Sequence, residues 1–151
     1  MRALVQRVSS AGVEIDSHKY KKDIGPGMLI LLGVKEGDSE EDVNFVADKC
    51  ANLRIFEDAA EKMNLSLKDT YGEVLVISQF TLYGDTAKGN RPNFTAAAKP
   101  EEANRLYELF IKRMGVNLGA EKIKSGIFAA MMEVSLVNSG PVTVMVESKV
   151  K

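Results

Sequence analysis

The sequence predicts one α/β (α+β) domain spanning residues 1–151, with a mixed, strongly curved sheet or partial barrel covered by two main helices. Strand-like segments far outnumber helical ones, and strands separate the two segments that have helical periodicity. The 151 residues are 45% hydrophobic and 27% charged, which is ordinary globular composition. A domain of this length buries roughly 68–70% of its unfolded surface, so a full hydrophobic core is expected.

The first part of the chain is predicted to be mostly strand. Arg2–Val8 alternates weakly between apolar and polar residues. Gly12–Asp16 and Lys19–Ile24 flank Ser17-His18, which is typical of a hairpin. Met28–Val34 is a continuous apolar run, and such runs belong to strands that are buried on both faces.

Two segments have the spacing of amphipathic helices. In the first, Asp38 or Ser39 can cap a helix with an apolar face at i, i+3, i+4 and i+7, made of Val43, Val46, Ala47 and Cys50. Cys50 is therefore predicted to be a core residue and not a nucleophile. The second begins at Pro100 with acids in its first turn. Its apolar face comprises Ala103, Leu106, Tyr107, Phe110, Ile111 and Met114.

Further strands are predicted at Leu53–Phe56, at Val74–Ser78 and in three segments after residue 120. The last two of these are separated by Asn138-Ser139-Gly140-Pro141. Proline cannot donate to a strand ladder, and glycine has no side chain to pack there. Local sequence therefore favours a hairpin turn at this point.

Composition limits the possible functions. The net charge of −1 disfavours a non-specific nucleic-acid coat, although an enzyme that touches RNA over a small patch remains possible. A single cysteine permits no intramolecular disulfide, which fits a reducing cytoplasm. The N-terminal segment has no long apolar run, so neither a signal peptide nor a membrane span is predicted.

The chain has one histidine, His18, and one cysteine. Zinc sites usually take three or four ligands from His, Cys and carboxylates, so one His and one Cys make a poor zinc set. A carboxylate-only magnesium site remains possible, but no acidic cluster stands out, so we expect no metal and no cofactor. A Ser-His-Asp arrangement would have to use His18, which lies in a polar stretch and is predicted to be an exposed hairpin residue. A hydrolase with this sequence is expected to work without metal or histidine.

Two polar segments interrupt apolar strands and are candidate sites. Ser78-Gln79-Phe80-Thr81 follows a buried strand and offers hydroxyls, an amide and free main-chain N–H groups for an oxyanion. The second is Asn138–Pro141, and either segment could simply close a strand end. Lys88 and Arg91 lie in the loop after the first segment. They could hold a phosphate backbone or belong to a solvated loop.

These motifs occur in the order found in a known family. The chain resembles the D-aminoacyl-tRNA deacylases, also called D-tyrosyl-tRNA deacylases, nearly from end to end. Ser139 and Met131 depart from the family pattern, where many members have Asp, which bears on loop support and substrate preference. The matching segments are Gln6–Val8, Leu31–Val34, Leu53–Phe56, Lys62–Ser66, Ser78–Asp85, Lys88–Phe94, Gly126–Met132 and Asn138–Thr143.

The resemblance implies an enzyme that hydrolyses the ester of D-aminoacyl-tRNA, and of glycyl-tRNA mischarged on tRNA-Ala. It implies a homodimer with active sites at the subunit interface. There a cis Gly140-Pro141 from one subunit enters the other subunit's site as a chiral filter that rejects L-residues. The substrate-binding residues implied are Gly140, Pro141, Arg7 and Met132, with Arg7 orienting the dipeptide. Lys88 and Arg91 are the implied tRNA contacts.

The implied catalytic segment is Ser78-Gln79-Phe80-Thr81. We expect the N–H groups of Phe80 and Thr81 to hold the carbonyl while a ribose hydroxyl of the tRNA assists water. Alternatively, Thr81 is the nucleophile of a hydrolase of small esters or amides, a role that needs a nearby base. A non-catalytic tRNA-binding module is the other alternative, although the chain lacks a basic stripe with stacking aromatics.

Overall fold

The computed structural model describes residues 1–148 of the chain. The helices are α1 (Glu40–Asn52), α2 (Leu67–Thr70) and α3 (Pro100–Leu118). Short 3₁₀ turns cover Asp16–His18, Phe80–Tyr83 and Ala120–Lys122. The strands are β1 (Arg2–Ile15), β2 (Tyr20–Ile24), β3 (Gly27–Gly33), β4 (Phe56–Glu57), β5 (Met63–Leu65), β6 (Glu73–Ser78), β7 (Ile123–Ser125) and β8 (Glu133–Glu147).

Strand β1 organises the main sheet. Along one side it pairs antiparallel with β3 through residues 2–8 and with β2 through residues 11–15. Along its other side it pairs antiparallel with β8 over nearly its whole length. Strands β3, β6 and β7 continue the sheet in parallel. The prediction of a mixed, curved sheet covered by helices is therefore confirmed.

The central strands are buried on both faces, which explains the continuous apolar run in β3. Met28, Ile30 and Leu32 pack with α1 and α3 in one hydrophobic cluster. Leu29 points the other way, into a second cluster inside the curve of the sheet. That second cluster comprises Val8, Ala11, Val13, Ile15, Ile24, Leu29, Leu75 and Ile77.

The helices follow their sequence signals closely. Ser39 is the N-cap of α1, where its N–H donates to the carboxylate of Asp42 over 2.8 Å. Asp38, the other candidate cap, instead accepts a hydrogen bond from the Lys35 N–H. Cys50 is fully buried on the apolar face, and burial raises the pKa of its thiol to about 12. The prediction of a core cysteine is confirmed.

The first hairpin forms where it was predicted, but its first strand is longer. Arg2–Val8 and Gly12–Asp16 do not form separate strands, because β1 runs from Arg2 to Ile15, with register shifts against β8 between Gln6 and Val8 and between Val8 and Ser10. The turn between β1 and β2 contains the exposed His18. Lys19 then adopts a left-handed conformation with φ 48°. None of the helices within residues 1–148 is long and apolar enough to cross a membrane.

Two predictions about strands were wrong. No hairpin forms at Asn138–Pro141, because both halves of β8 run in the same direction along β1. Gln6 pairs with Thr143 and Val8 with Asn138, so residues 139–142 form an excursion opposite Arg7. The predicted strand at Leu53–Phe56 is also misplaced, since only Phe56 and Glu57 find a partner, in β5. In both cases long-range pairing decided the outcome against local sequence.

Candidate active site

A pocket of about 760 Å³ opens at the end of β6. One wall is Ser78-Gln79-Phe80, which begins at the last residue of that strand, and a second wall is the segment Phe128–Met132 before β8. The start of α3 and the loop before it supply most of the remaining lining. Apart from the polar first wall, most lining side chains are apolar, which suits a small-molecule moiety fixed by few polar contacts.

After β6 the main chain turns so that the N–H groups of Phe80 and Thr81 are left without hydrogen-bond acceptors among residues 1–148. The Gln79 N–H donates to the Leu32 carbonyl over 2.8 Å, and the Leu82 N–H donates to the Gln79 carbonyl over 3.2 Å. Phe80 and Thr81 begin the 3₁₀ turn, where N–H groups have no acceptor within the turn. Within residues 1–148 these two amides have no hydrogen-bond acceptor. They are therefore available to an oxygen of a ligand.

The side chain of Thr81 is exposed, and its hydroxyl accepts a hydrogen bond from the Gln79 side-chain amide. An amide N–H is a donor and cannot remove a proton from the hydroxyl. Across the described part of the chain, no histidine or carboxylate is hydrogen-bonded to this hydroxyl. Thr81 is also absent from the pocket lining, whereas Phe80 is part of it.

Phe80 connects the pocket to the basic loop. This residue is 58% exposed, and its ring meets Phe94 edge-on with 5.2 Å between the centroids. Main-chain hydrogen bonds between Asp85 and Asn93, of 2.7 and 2.9 Å, close the base of the loop. Lys88 and Arg91 are exposed beyond that closure, and neither forms an ion pair with any residue that the structure describes.

Arg7 anchors the excursion of β8. This side chain is buried, with the residue 8% exposed. Its Nε donates to the Ser139 carbonyl over 3.1 Å, and its Nη1 donates to the Ile55 carbonyl over 2.8 Å. The carboxylate of Glu57 lies 3.8 Å from Nη2. One guanidinium thus ties the excursion to the segment before β4.

The Gly140–Pro141 peptide bond is cis. Gly140 has φ 120°, and a Cβ at this position would lie 2.8 Å from Nη2 of Arg7. Asn138 closes the excursion, since its side chain donates to Thr143 Oγ1 and accepts from the Val142 N–H. Gly140 and Pro141 are exposed, and neither lines the pocket of its own chain. Within one chain the two candidate segments are therefore separate.

Met132 is half-buried and lines the second wall of the pocket. The missing side chain of Gly126 makes room for it, because a Cβ there would lie 2.5 Å from the Met132 sulfur. Met131, which departs from the family pattern, is 88% exposed at the same wall. No group of three or more His, Cys, Asp or Glu side chains within residues 1–148 could hold a metal ion.

A profile of the D-Tyr-tRNA(Tyr) deacylase family matches residues 4–147. The chain belongs to this family. The D-aminoacyl-tRNA deacylase of Halothermothrix orenii is 53% identical over 148 residues, covering 98% of this chain and 97% of that protein. The D-aminoacyl-tRNA deacylase of Flavobacterium psychrophilum is 51% identical over 151 residues, covering 100% and 99%. The predicted membership of a deacylase family of hydrolases is confirmed.

Solved structures agree with the fold of the family. The c-Myc DNA unwinding element binding protein superimposes with a TM-score of 0.92 at 38% identity, covering 99% of this chain and 100% of that one. A probable eukaryotic D-amino acid tRNA deacylase has a TM-score of 0.82 and 16% identity, covering 97% and 98%. The second likeness supports the fold alone.

Sequence reasoning did not single out all of the residues that build the pocket. Phe94 was noted only within a matching loop, although an aromatic ring in a polar loop is a usable signal. Lys99 supplies a positive charge to the lining from the residue before α3. Tyr107 was assigned to the core, although a buried tyrosine hydroxyl usually needs a partner. That requirement is the signal that could have revealed its position at the pocket.

Proposed function

We propose that the protein hydrolyses the ester bond of D-aminoacyl-tRNA, with residues 1–151 acting as one domain. Water adds to the ester carbonyl, the bond to the ribose oxygen breaks, and that oxygen takes up a proton. The products are a free D-amino acid and tRNA. The observation that carries the proposal is the pair of unpaired N–H groups at Phe80 and Thr81, beside an apolar pocket in a chain of this family.

Oxyanion stabilisation is the main catalytic contribution that we assign to the protein. As water attacks, negative charge develops on the carbonyl oxygen, and main-chain donors at Phe80 and Thr81 are fixed before the reaction begins. The ribose hydroxyl next to the ester assists the attacking water, since no histidine or carboxylate among residues 1–148 is hydrogen-bonded to the Thr81 hydroxyl. The contact between Gln79 and Thr81 supports this route over a covalent Thr81 intermediate.

We assign tRNA contacts to the loop that carries Lys88 and Arg91. Both side chains are exposed, and neither is neutralised by an ion pair with residues 1–148. Contacts between Phe80 and Phe94 hold the end of this loop beside the pocket. Cations in a loop beside the pocket can contact the phosphate backbone of the tRNA without recognising its nucleotide sequence. A tRNA substrate also implies a cytoplasmic location.

We further propose that the active form is a homodimer and that Gly140-Pro141 completes the pocket of the partner subunit. The dipeptide is exposed, is anchored by Arg7 and does not line its own chain's pocket, which supports a role in another copy. Its carbonyls would crowd one side of the substrate α-carbon. A hydrogen fits on that side and an L side chain collides, so D-residues and glycine, including glycine on tRNA-Ala, pass.

The outer edge of β8 supports association of two chains. Leu136, Val137 and Met145 are exposed apolar side chains on this strand. Among residues 1–148, β8 pairs only with β1, so its other edge has main-chain groups without a strand partner. Long apolar edge strands are usually covered in native proteins, and a second copy would provide the cover.

The proposed function is tested by deacylation of the same tRNA species charged with D-amino acid, L-amino acid or glycine. We expect the purified protein to hydrolyse the D-aminoacyl and glycyl esters and to spare the L-aminoacyl ester. Retention of tRNA without hydrolysis would instead identify a binding module. Hydrolysis of small esters together with a covalent adduct on Thr81 would favour the nucleophile alternative.

A further inference from the structure

Beyond the residues already assigned, one buried hydroxyl joins the two walls of the pocket. The hydroxyl of Tyr107 lies 3.1 Å from the Val76 carbonyl and 3.0 Å from the Gly126 carbonyl. Val76 stands two positions before Ser78, where the first wall begins. Gly126 stands two positions before Phe128, where the second wall begins. Tyr107 itself is 1% exposed and contributes to the lining between them.

These contacts lie where two parallel strands separate. Strands β6 and β7 pair as far as Val76 opposite Ser125, and the Gly126 N–H then donates to the Val76 carbonyl over 3.0 Å. Beyond this point the two chain segments diverge to form the walls of the pocket. We call this point, made of Val76, Gly126 and the Tyr107 hydroxyl, the strand fork.

We propose that Tyr107 is a positioning residue for the deacylation, and that it sets the separation of the two pocket walls at the strand fork. This inference rests on the proposed function. The hydroxyl has one proton, which it shares between the carbonyls of Val76 and Gly126. Together with the hydrogen bond from the Gly126 N–H to the Val76 carbonyl, this shared donor holds the two walls at a fixed separation. Reacting groups must be held closely, because a shift of about 1 Å can cost on the order of 100-fold in rate.

The properties of the phenol fit this role. Burial raises the pKa of Tyr107, so the proton that makes the hydrogen bonds stays in place across the working pH range. The ring also packs against Phe128, with 6.1 Å between centroids. Phenylalanine at this position would keep the ring and its packing. The change Tyr107→Phe therefore removes the hydroxyl's contacts with both walls, keeps the Gly126–Val76 hydrogen bond and leaves the core volume nearly the same.

The experiment compares Tyr107→Phe with Tyr20→Phe, using D-aminoacyl-tRNA and glycyl-tRNA. Tyr20 is a matched control, because its hydroxyl donates to the carbonyl of Ser125 over 2.5 Å but it lies outside the pocket lining. We expect Tyr107→Phe to lower kcat by about ten-fold or more and to change KM by less than about two-fold. Tyr20→Phe should leave both constants within about two-fold of the wild type.

Thermal unfolding of both variants separates positioning from stability. An unchanged kcat in folded Tyr107→Phe would overturn the inference, and so would equal losses of kcat in both variants. Should Tyr107→Phe fail to fold, Gly126→Ala tests the same fork. Its methyl group would lie 2.5 Å from the Met132 sulfur and 3.1 Å from Ile77 Cδ1, so it should push the walls apart and lower kcat.

The same assay separates this inference from the proposed function. A wild-type protein that does not hydrolyse D-aminoacyl-tRNA would overturn both. An active wild type with normal kcat in folded Tyr107→Phe would overturn only the positioning role. A lower kcat in Tyr107→Phe and in Gly126→Ala, with normal Tyr20→Phe, is the result that supports the strand fork.

Discussion

The side-chain amide of Gln79 donates to the hydroxyl of Thr81, and this contact bears directly on mechanism at the scale of single residues. We expect Thr81→Ala to reduce kcat by about ten-fold or less, because in the proposed mechanism residue 81 contributes only its main-chain N–H to oxyanion binding. Deletion of a true nucleophile costs far more, on the order of 10⁶-fold in subtilisin. Single-turnover deacylation of D-aminoacyl-tRNA measures the difference.

Thr70→Ala is the control for this change, since Thr70 is an exposed threonine at the end of α2 and does not line the pocket. Its rate should match that of the wild type. A complete loss of activity in folded Thr81→Ala, with normal Thr70→Ala, would favour the covalent mechanism.

A second residue-scale prediction concerns Gly140. A methyl group there would lie 2.8 Å from Nη2 of Arg7 and 2.9 Å from Val142 Cγ2, at a backbone φ of 120°. We expect Gly140→Ala to displace the excursion and to raise KM for D-aminoacyl-tRNA and glycyl-tRNA alike, by about ten-fold or more. Steady-state kinetics on both substrates provide the measurement.

Gly37→Ala controls for the backbone conformation alone. Gly37 also has a positive φ, of 91°, but nothing lies within 4 Å of the Cβ position. Both variants therefore carry the cost of an unfavourable φ, and only Gly140→Ala adds a steric conflict. An equal KM in the two variants would mean that the excursion does not contact the substrate.

At the scale of elements, Asp48 connects α1 to α3. Nε and Nη2 of Arg113 each donate to its carboxylate over 2.8 Å, and the Asn117 side chain adds a third hydrogen bond. These bonds, chiefly the one from Arg113, lower the pKa of Asp48 from 3.8 to about 2. The carboxylate therefore stabilises the folded state above pH 3.8 and loses that contribution as the pH falls through about 2.

We expect Asp48→Asn to lower the free energy of unfolding at pH 7 by about 1 kcal/mol or less, because solvent screens a pair that is more than a third exposed. Denaturant titrations should show this difference shrinking as the pH falls from 3.8 towards about 2. Glu108→Gln is the control for loss of a carboxylate, because Glu108 is exposed on α3 and forms no salt bridge with any residue that the structure describes. A difference that persisted at the lowest pH would contradict this account.

Several elements could be predicted because their signals are local. The capping residues and apolar faces of α1 and α3 lie within one helix, and the apolar run of β3 follows from burial on both faces. Asn138–Pro141 has equally local turn signals, yet β1 aligns both flanks of this segment in one direction. Nothing within those four residues reports a partner more than 120 positions away.

In the candidate site, too, local signals could be predicted and long-range contacts could not. Motif order located Ser78–Phe80 and Met132, which line one pocket, and Arg7, which binds the Ser139 carbonyl. Only the family resemblance implied that Gly140-Pro141 serves another subunit, since the local sequence gives no sign that this dipeptide stays out of its own chain's pocket. The sequence also could not show the strand fork, since Tyr107 fits the apolar face of α3 like any other core residue.

At the scale of the whole molecule, the proposed dimer makes a strong prediction for mixed subunits. Gly140→Ala damages the excursion that one subunit inserts into its partner's pocket. Phe80→Pro removes a main-chain N–H from the variant subunit's own pocket. Proline is tolerated in a first helical turn, so Phe80→Pro should fold. In a mixed dimer, the intact excursion of the Phe80→Pro chain completes the intact pocket of the Gly140→Ala chain.

We therefore expect each homodimeric variant to lose about nine-tenths or more of the wild-type kcat/KM, and the mixed dimer to recover about half of it, from one restored site in a two-fold assembly. Co-expression with two different affinity tags would isolate the mixed species. Sedimentation equilibrium should report twice the mass of one chain. An active monomer, or a mixed dimer without recovery, would contradict a shared active site.

The pairing of β8 on both sides of its excursion has a consequence for how this protein can change. Because β1 pairs with β8 on both sides of residues 139–142, we expect a change in the length of this segment to leave the register of each half in place. The one contact that such a change must keep is the carbonyl that accepts from Nε of Arg7. Selection in the laboratory could then vary the remaining positions to seek new handedness preferences.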